Sequence, residues 1–229
     1  MQPGAFVGLR NPKVRDEARE PGAPAGHRPA MDMDTFCQIP ARYIHIERFL
    51  PCVPGISPGL AARVLGCSRL HPNLSERIVS AYGLGCCTAA DFTKTGSRIA
   101  LLDGEQLRRV GELAGGIWHA QALRSTVLVH TLREILAAFD PRLHEVALTN
   151  MDLSPKPDRP LDRSALVDAI RSDGTHCLNA AIWQLPASLR SRLLLRFPTD
   201  TPLGSPVSVR HQQLGPLIVS RLLADEIVQ

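Results

Sequence analysis

The sequence predicts a mainly α protein, a single irregular helical bundle, and three observations support this prediction. First, residues 103–139 show the longest sustained helical periodicity, with apolar residues recurring every three or four positions. Second, 44% of the 229 residues are hydrophobic but only 4% are aromatic, so the core must consist mostly of Leu, Val, Ile and Ala. Third, connections containing Pro and Gly separate short amphipathic segments. We expect a disordered tail over residues 1–33 and one domain over residues 34–229.

The tail is rich in Pro, Gly, Arg and Glu and shows no sustained period. Such a segment buries too little surface to offset the entropy of ordering, which is why we predict disorder. It lacks the apolar run of a signal peptide, and no stretch of the chain approaches the roughly 18 to 20 apolar residues of a membrane span. Met31 and Met33 stand just before the first patterned residues, which makes them alternatives to Met1 as the start of translation.

The first predicted helix lies within residues 36–55. Pro40 suits its first position, and Pro51 ends it. Its apolar side consists of Tyr43, Ile44, Ile46, Phe49 and Leu50. His45 stands among these apolar residues, where a ligand or proton carrier is one interpretation. A packed histidine bonded to backbone or to a carboxylate is the more common one.

Residues 58–82 contain two short helical patterns around a Gly-x-Ser turn. This arrangement is similar to a helix-turn-helix, so a DNA-binding regulator is the alternative function. Two features weaken it. Pro72 and Asn73 interrupt the place where a recognition helix would begin. Only Arg69 and Arg77 could face phosphate or bases, which is few basic residues for a DNA-binding surface.

Residues 103–139 predict two consecutive helices on which the rest of the chain packs. Asp103 and Gln106 form a capping-box pattern at the start of the first helix. Its apolar stripe consists of Leu107, Val110, Ala114, Ile117 and Trp118. Gly115 and Gly116 weaken a helix by about 1 kcal/mol each relative to alanine, so we expect a bend or a close helix contact there.

The second of these helices carries a wider stripe and ends at Asp140-Pro141. The stripe consists of Leu128, Leu132, Ile135, Leu136 and Phe139, widened by Leu123 and Val127. Because this helix is apolar around much of its circumference, we place it at the centre of the core.

The remaining elements follow from the same patterns. They are, in order, a short helix at 141–149, an exposed loop at 151–162, a helix from 164 with a pause at 173–174, an amphipathic helix from Pro186, a loop at 198–210, and a last helix at 211–229. In the segment from Pro186, Leu189, Leu193 and Phe197 form the inner stripe. A short strand over 193–197 is the alternative.

No catalytic constellation stands out. The chain has no Gly-x-Ser-x-Gly or His-Glu-x-x-His pattern. His119 and His130 are eleven residues apart, too far to bind one ion, so we expect structural roles for both. The six cysteines lack a C-x-x-C pair, which favours reduced, buried thiols in a reducing compartment. We therefore expect no enzyme, cofactor or metal; an enzyme using His119 or Cys86/Cys87 is a further alternative.

The charge pattern gives little support for a nucleic-acid or membrane partner. The formal net charge of +4 comes from 26 basic and 22 acidic residues. Residues 1–33 hold five basic and four acidic ones, and the rest hold 21 and 18, so no basic tail or stripe stands out. We expect neither nucleic-acid binding nor direct membrane insertion.

Three stretches together carry a family resemblance. They are FCQIPARYIHIERFLP, LRRVGELAGGIWHAQALRSTVLVHTLREIL and AAIWQLPASLRSRLLLRFP. In this order and at similar spacing, they resemble the SctK (YscK) family of bacterial type III secretion systems, from about residue 36 to the C-terminus. The resemblance implies a helical accessory protein of the sorting platform, cytoplasmic and located at the inner face of the inner membrane when assembled. Such proteins connect the cytoplasmic domain of the ring protein SctD to the pod protein SctQ, which holds SctL and the ATPase, and no cofactor or reaction accompanies them.

The family supplies no contact residue that carries over to this chain one by one. Arginine is favoured at protein interfaces, and five arginines occupy helix positions predicted to face outward. These interface candidates are Arg108, Arg109, Arg190, Arg192 and Arg196. We expect Trp118 and Trp183 to lie in the core.

Overall fold

The structure, a computed structural model, describes residues 31–93, 95–126, 129–156, 162–201, 203 and 207–225. Its α-helices are α1 (Met33–Gln38), α2 (Ile46–Phe49), α3 (Pro58–Leu65), α4 (His71–Tyr82), α5 (Gly104–Trp118), α6 (Ala120–Ser125), α7 (Val129–Leu136), α8 (Leu143–Thr149), α9 (Arg163–Trp183), α10 (Ala187–Leu194) and α11 (Val209–Ala224). Turns of 3₁₀ helix lie at Pro40–Arg42, Leu50–Cys52, Ser68–Leu70, Ala89–Phe92, Thr95–Leu101 and Met151–Leu153.

These elements confirm the mainly α prediction. No β-strand occurs within the described ranges, and residues 193–197, for which a strand was the alternative, begin inside α10. Residues 1–30, which make up most of the predicted tail, lie outside the part of the chain that the structure describes. None of the helices in the described part is long and apolar enough to cross a membrane.

Helices α5, α9 and α11 form the centre of the bundle, and α8 packs on α5 from another side. Helix α5 starts as its sequence predicts. The side chain of Asp103 accepts from the backbone N–H of Gln106 at 2.8 Å, and the Gln106 side chain accepts from the Asp103 N–H at 2.9 Å. The whole predicted stripe from Leu107 to Trp118 is buried, so this helix presents its apolar side to the core.

Glycines allow α5 and α9 to approach at backbone distance. A Cβ atom built on Gly115 would lie 1.9 Å from the carbonyl oxygen of Ile170. A Cβ atom on Gly174 would lie 2.0 Å from the carbonyl oxygen of Gly111. Neither position can hold a larger residue at this separation, which confirms the close helix contact predicted for the glycine pair of α5.

Helix α11 approaches α9 in a similar way and contains a proline. A Cβ atom on Gly215 would lie 2.9 Å from the Cα of Cys177. Pro216 has no N–H to donate to the carbonyl of Gln212, four residues earlier. The side-chain amide of Gln184 donates to that carbonyl instead, at 3.4 Å. The side chain of Gln184, which caps the end of α9, thus replaces a hydrogen bond that α11 cannot make for itself.

The prediction that the second helix of residues 103–139 forms the centre of the core is wrong. The chain forms two shorter helices there, α6 and α7, and residues 127–128 lie outside the described ranges. Ile135 of α7 is buried, but Leu132 and Leu136 are only half-buried. Helix α9 occupies the centre instead, because its small residues let neighbouring helices come close, which the bulky residues of α7 do not.

Helix α9 also runs without the predicted pause at residues 173–174. A glycine inside a helix lowers its intrinsic stability by about 1 kcal/mol, which was the basis of the prediction. Gly174 faces Gly111 across the helix crossing, and the packing gained there outweighs the propensity lost.

Residues 36–55 form several short pieces instead of one helix. The Tyr43 hydroxyl donates to the carbonyl of Phe36 at 2.7 Å, which folds the chain back on itself. The N–H of His45 donates to the carbonyl of Leu195 at 2.7 Å, and the His45 ring caps α2. The role of His45 is therefore structural. Arg48 adds a second link, since its Nε donates to the carbonyl of Phe197 at 2.6 Å.

Residues 58–82 form the two predicted helices, α3 and α4, with a short turn between them. The expectation that Pro72 interrupts the second helix is wrong. Helix α4 begins at His71, and Pro72 lies in its first turn, where a missing N–H leaves no intrahelical bond unmade. The inner face of α4 consists of Leu74, Ser75 and Ile78.

Candidate functional site

Of the five candidate arginines, Arg108 and Arg109 lie on the outer side of α5. Arg108 forms ion pairs with Glu105 and Glu112 on the same helix, and its side chain is 56% exposed. Arg109 pairs with Asp140, whose side chain is only 9% exposed. Both arginines are accessible to a partner, but their charge is already balanced by neighbouring carboxylates.

A surface cleft separates α5 from the segment that follows α7. It has a volume of about 440 Å³ and is lined by the side chains of Arg108, Arg109 and the carboxylates that pair with them, together with residues 137–139. The lining is mostly charged and contains no nucleophile. The cleft is suited to contact with polar groups of another protein rather than to enclosing an apolar ligand.

Arg190 lies beside an exposed tryptophan. Its guanidinium carbon stands 4.5 Å from the centre of the Trp183 ring, and its Nη1 donates to the carbonyl of Trp183 at 2.8 Å. Trp183 itself is 57% exposed, so the prediction that it lies in the core is wrong. Trp183 is the last residue of α9 and precedes Pro186, and its ring lies at the surface of the bundle. Trp118, at 7% exposure, is in the core as predicted.

The prediction that Arg192 faces outward is wrong. Arg192 is only 3% exposed, because residues of α1 and of the segment after α4 cover that side of α10. Its Nε donates to the carbonyl of Cys37 at 3.2 Å, and its Nη1 donates to those of Gly85 and Ser188 at 2.8 and 3.2 Å. The guanidinium thus joins three separate parts of the chain, which is a structural role.

Arg196 also turns inward. Its Nη1 donates to the carbonyls of Ala100 and Leu102 at 3.1 and 2.6 Å, and the residue is half-buried. A guanidinium offers five N–H donors in a fixed fork, which suits it to satisfying carbonyls at the end of a 3₁₀ segment. The sequence pattern predicts that the arginines of 190–196 form a common outer face, and this prediction is wrong. Of Arg190, Arg192 and Arg196, Arg190 is the one that lies at the surface, beside the ring and the carbonyl of Trp183.

The outward-facing residues that remain define what we call the Trp183 patch: Trp183, Gln184 and Arg190. Tryptophan and arginine are the residue types most enriched among those that contribute strongly to protein interfaces. On α11, Val209 and Leu217 are also exposed, at 68% and 56%. Sequence reasoning missed Trp183 as a surface residue. The available signal was its position at the end of the α9 pattern, three residues before a proline.

A second arrangement that sequence reasoning missed is a cluster of three histidines around Asp173. Nε2 of His119, at the end of α5, lies 2.7 Å from Oδ2 of Asp173. Nε2 of His211, from α11, lies 3.2 Å from Oδ1, and Nδ1 of His176 lies 3.7 Å from the same oxygen. The spacing of Asp173 and His176 places them on one face of α9, but the other two residues are distant in sequence, so no motif reveals the cluster.

The environment of Asp173 strongly favours its charged form. Partial burial alone would raise the pKa of the carboxyl group. The hydrogen bonds from His119 and His211, with the electrostatic attraction of the same two rings, outweigh burial and hold the pKa of Asp173 well below its usual value. The carboxylate is therefore ionised throughout the physiological range and is an available ligand for a cation.

The cysteines do not form a reactive site. Cys37, Cys52 and Cys177 are buried, whereas Cys67 and Cys86 are exposed, so the expectation of mostly buried thiols holds for only part of the set. Burial, with a hydrogen bond to Cys37, raises the pKa of the Cys87 thiol to about 12. Because the thiolate is the nucleophile, this environment disfavours nucleophilic chemistry at Cys87.

Comparison with known proteins gives a family match and two curated relatives. The model of the family described as YOP proteins translocation protein K (YscK) matches residues 31–221. Among the curated proteins, the chain is similar to the nodulation protein NolU of Rhizobium fredii, with 29% identity over 153 residues, covering 67% of this chain and 69% of that protein. The nodulation protein NolU of Sinorhizobium fredii (strain NBRC 101917 / NGR234) matches with the same identity and coverage. No solved structure matches the chain.

Proposed function

This chain belongs to the YscK family, and on that premise we propose that it is a cytosolic adaptor that links the inner-membrane ring protein SctD to the pod protein SctQ. The family belongs to type III secretion, so the protein has a role in that process. The observation that supports the proposal most is that the match spans residues 31–221, which includes all of α1–α10 and most of α11. The adaptor role therefore concerns the helical domain as a whole.

The setting of this secretion system is also part of the proposal. Both curated relatives carry the name nodulation protein. This name favours a secretion system that operates in symbiosis rather than in virulence. SctL and the ATPase are then indirect partners, reached through SctQ, and the adaptor takes its place at the cytoplasmic face of the inner membrane when the platform assembles.

We place one partner contact at the Trp183 patch. A tryptophan that is 57% exposed leaves much of its apolar area in water, and covering that area on binding is favourable by roughly 25 cal/mol per Å². Arg190 holds the ring from one side, so little rotamer freedom remains to be lost on binding. Arg108 and Arg109 form a second accessible patch, on α5, that suits the other partner.

Co-purification tests this placement directly. The tagged full chain is mixed with SctQ and, separately, with the cytoplasmic domain of SctD, and the retained partner is quantified. We expect Trp183→Ala and Arg190→Glu each to reduce recovery of one partner about tenfold or more, as removal of an interface anchor does. Arg133→Glu, an exposed charge reversal on α7, is the matched control and should leave recovery unchanged. Circular dichroism should be the same for all four proteins.

Two results would count against the proposal. Undiminished recovery of both partners by the Trp183 and Arg190 variants would remove the patch as a contact. Failure of the unaltered chain to retain either partner, with both partners folded, would remove the adaptor role itself. Arg192 is unsuitable for this test because reversing its charge would place an unpaired carboxylate in the core.

The DNA-binding alternative rests on α3 and α4, with exposed Arg69 in the turn between them and exposed Arg77 on α4. A helix-turn-helix regulator predicts duplex binding that weakens steeply with salt and is reduced in Arg69→Glu and Arg77→Glu. A gel-shift series at increasing salt distinguishes the two functions. The adaptor predicts no specific shift.

An enzymatic role predicts a different pattern in secretion assays. If His119 or the Cys86/Cys87 pair were catalytic, replacing them would abolish secretion while the SctD and SctQ complexes remained intact. The adaptor predicts that secretion fails only in variants that fail to assemble. Measuring secretion and co-purification on the same variants separates these outcomes.

A further inference from the structure

We propose that Asp173, His176 and His211 bind a Zn²⁺ ion. The three residues come from two helices of the central group, α9 and α11, and one ligand atom from each lies within 4.8 Å of the other two. This site is independent of the Trp183 patch and of the adaptor role.

The distances fit a tetrahedral ion. With bonds of about 2.0 to 2.1 Å to nitrogen and oxygen, adjacent ligand atoms of a tetrahedral Zn²⁺ lie about 3.3 Å apart. Nε2 of His211 and Nδ1 of His176 lie 3.2 and 3.7 Å from Oδ1 of Asp173. The third separation, between the two histidine nitrogens, is within 4.8 Å, and a rotation of the His176 ring, which stands edge-to-face against His211 and has a side chain 44% exposed, would shorten it.

His211 is held in the orientation that a metal ligand needs. Its Nδ1 lies 2.7 Å from Oγ of Ser208, the residue that caps α11, and its ring stacks on Trp118 at 4.1 Å between ring centres. In the neutral tautomer that carries its proton on Nδ1, this proton is donated to Ser208, and the lone pair of Nε2 is then free to bind a cation held between Nε2 and the Asp173 carboxylate. Among the described residues, this buried Nε2 has the Asp173 carboxylate as its polar neighbour, at 3.2 Å, and the contact does not meet the geometry of a good hydrogen bond. A metal ion would satisfy it.

His119 completes the arrangement without being a ligand. It occupies Oδ2 of Asp173 at 2.7 Å, which fixes the carboxylate and leaves Oδ1 for the ion. Carboxylate ligands that are themselves hydrogen-bonded in this way are typical of metal sites. The exposed side of the cluster, next to His176, provides an entry path and a fourth coordination position for water.

The donor set selects the class of metal. Two imidazole nitrogens and one carboxylate oxygen suit Zn²⁺ and neighbouring transition metals, whereas Mg²⁺ and Ca²⁺ prefer oxygen ligands alone. Asp173 and His176 lie on α9, and His211 lies on α11, which packs against α9. A bound ion would therefore cross-link α11 to α9.

Titration calorimetry on the full chain, first dialysed against a chelator, tests the proposal with Zn²⁺ alone. We expect one equivalent to bind, and we expect His176→Ala and Asp173→Asn to weaken binding by about tenfold or more. His130→Ala, an exposed histidine outside the cluster, is the matched control and should bind as the unaltered chain does. Because the His176 side chain is on the surface, its variant keeps the fold, and melting temperature confirms this independently.

The exposed thiols of Cys67 and Cys86 offer a competing place for the ion. Titration with Co²⁺ distinguishes the proposed site from the thiols, since the proposed site gives tetrahedral cobalt absorption without thiolate charge-transfer bands. Zn²⁺ should also raise the melting temperature of the unaltered chain and of His130→Ala, but not of His176→Ala. Binding that His176→Ala leaves intact, cobalt spectra dominated by thiolate bands, or no saturable equivalent would each overturn the proposal.

Discussion

Replacing Gly115 by alanine tests whether backbone contact between α5 and α9 holds the bundle together. The new Cβ would lie 1.9 Å from the Ile170 carbonyl oxygen, whereas real Cβ contacts essentially never fall below 3.0 Å. The two helices would therefore have to separate by about 1 Å at their crossing. The obstacle is backbone on both sides, so no side chain can rotate away to relieve it.

The expected loss of stability follows from two opposing terms. Alanine is a better helix former than glycine by about 1 kcal/mol, which favours the variant. Overpacking costs about 1 to 3 kcal/mol, and a gap of 0.5 to 1 Å forfeits roughly a quarter to a half of the dispersion energy of each contact that it opens. Because α5 and α9 are the two most extensively packed helices, we take the upper end of the overpacking cost, which leaves a net destabilisation of about 2 kcal/mol. For a chain of this size, that lowers the melting temperature by about 4 to 8 °C.

Thermal and urea unfolding measure this effect, and Gly111 provides a matched control on the same helix. A Cβ on Gly111 would meet nothing closer than 3.9 Å, which is ordinary contact. Gly111→Ala should therefore leave stability unchanged or raise it by up to about 1 kcal/mol. The reasoning is refuted if Gly115→Ala melts within about 2 °C of the unaltered chain, or if the two variants lose equal stability.

Three further predictions concern buried polar groups. Arg192→Met should lower the free energy of unfolding by about 3 kcal/mol, because the buried carbonyls of Cys37 and Gly85 lose the donor that the guanidinium supplies. Arg190→Met should lower it by less than about 1 kcal/mol, and equal losses in urea unfolding would contradict the assigned burial. Tyr43→Phe should lower the free energy of unfolding by about 1 kcal/mol, because it removes the hydrogen bond from the Tyr43 hydroxyl to the carbonyl of Phe36. An unchanged free energy of unfolding would contradict the presence of that bond. The lowered pKa of Asp173 means that its carboxylate stabilises the fold above its ordinary pKa of 3.8, and that this contribution is lost as pH falls below it. The stability difference between the unaltered chain and Asp173→Asn should therefore shrink below about pH 4, and a difference that grows there would reverse the assigned sign.

Local signals were enough to predict α5. Its capping box joins residues only three apart, and its stripe is a property of one helix, so both can be inferred without knowing what packs against them. The glycine pair predicted a close contact, but the choice of α9 as the partner helix depends on Gly174, about 60 residues further along. Sequence patterns show which face is buried and not what covers it.

The errors share one physical cause, which is contact between distant parts of the chain. Arg192 has the spacing of an outer helix position, yet α1 and the segment at Gly85 cover it. Trp183 has the side chain of a core residue, yet no other helix in the described part of the chain covers it and it is 57% exposed at the end of α9. The Asp173 cluster draws on three helices, so its members are unremarkable in the sequence. Each depends on tertiary packing that helical periodicity does not encode.

The attachment of the first helices to α10 has a consequence for biosynthesis. Cys37, His45 and Arg48 all bond to residues between 192 and 197, near the far end of the chain. The segment that contains α1 and α2 therefore lacks its docking surface during synthesis until α10 has also been translated. A nonsense mutation upstream of α10 would leave that segment without its packing partner, so the truncated products should be degraded by proteases instead of accumulating.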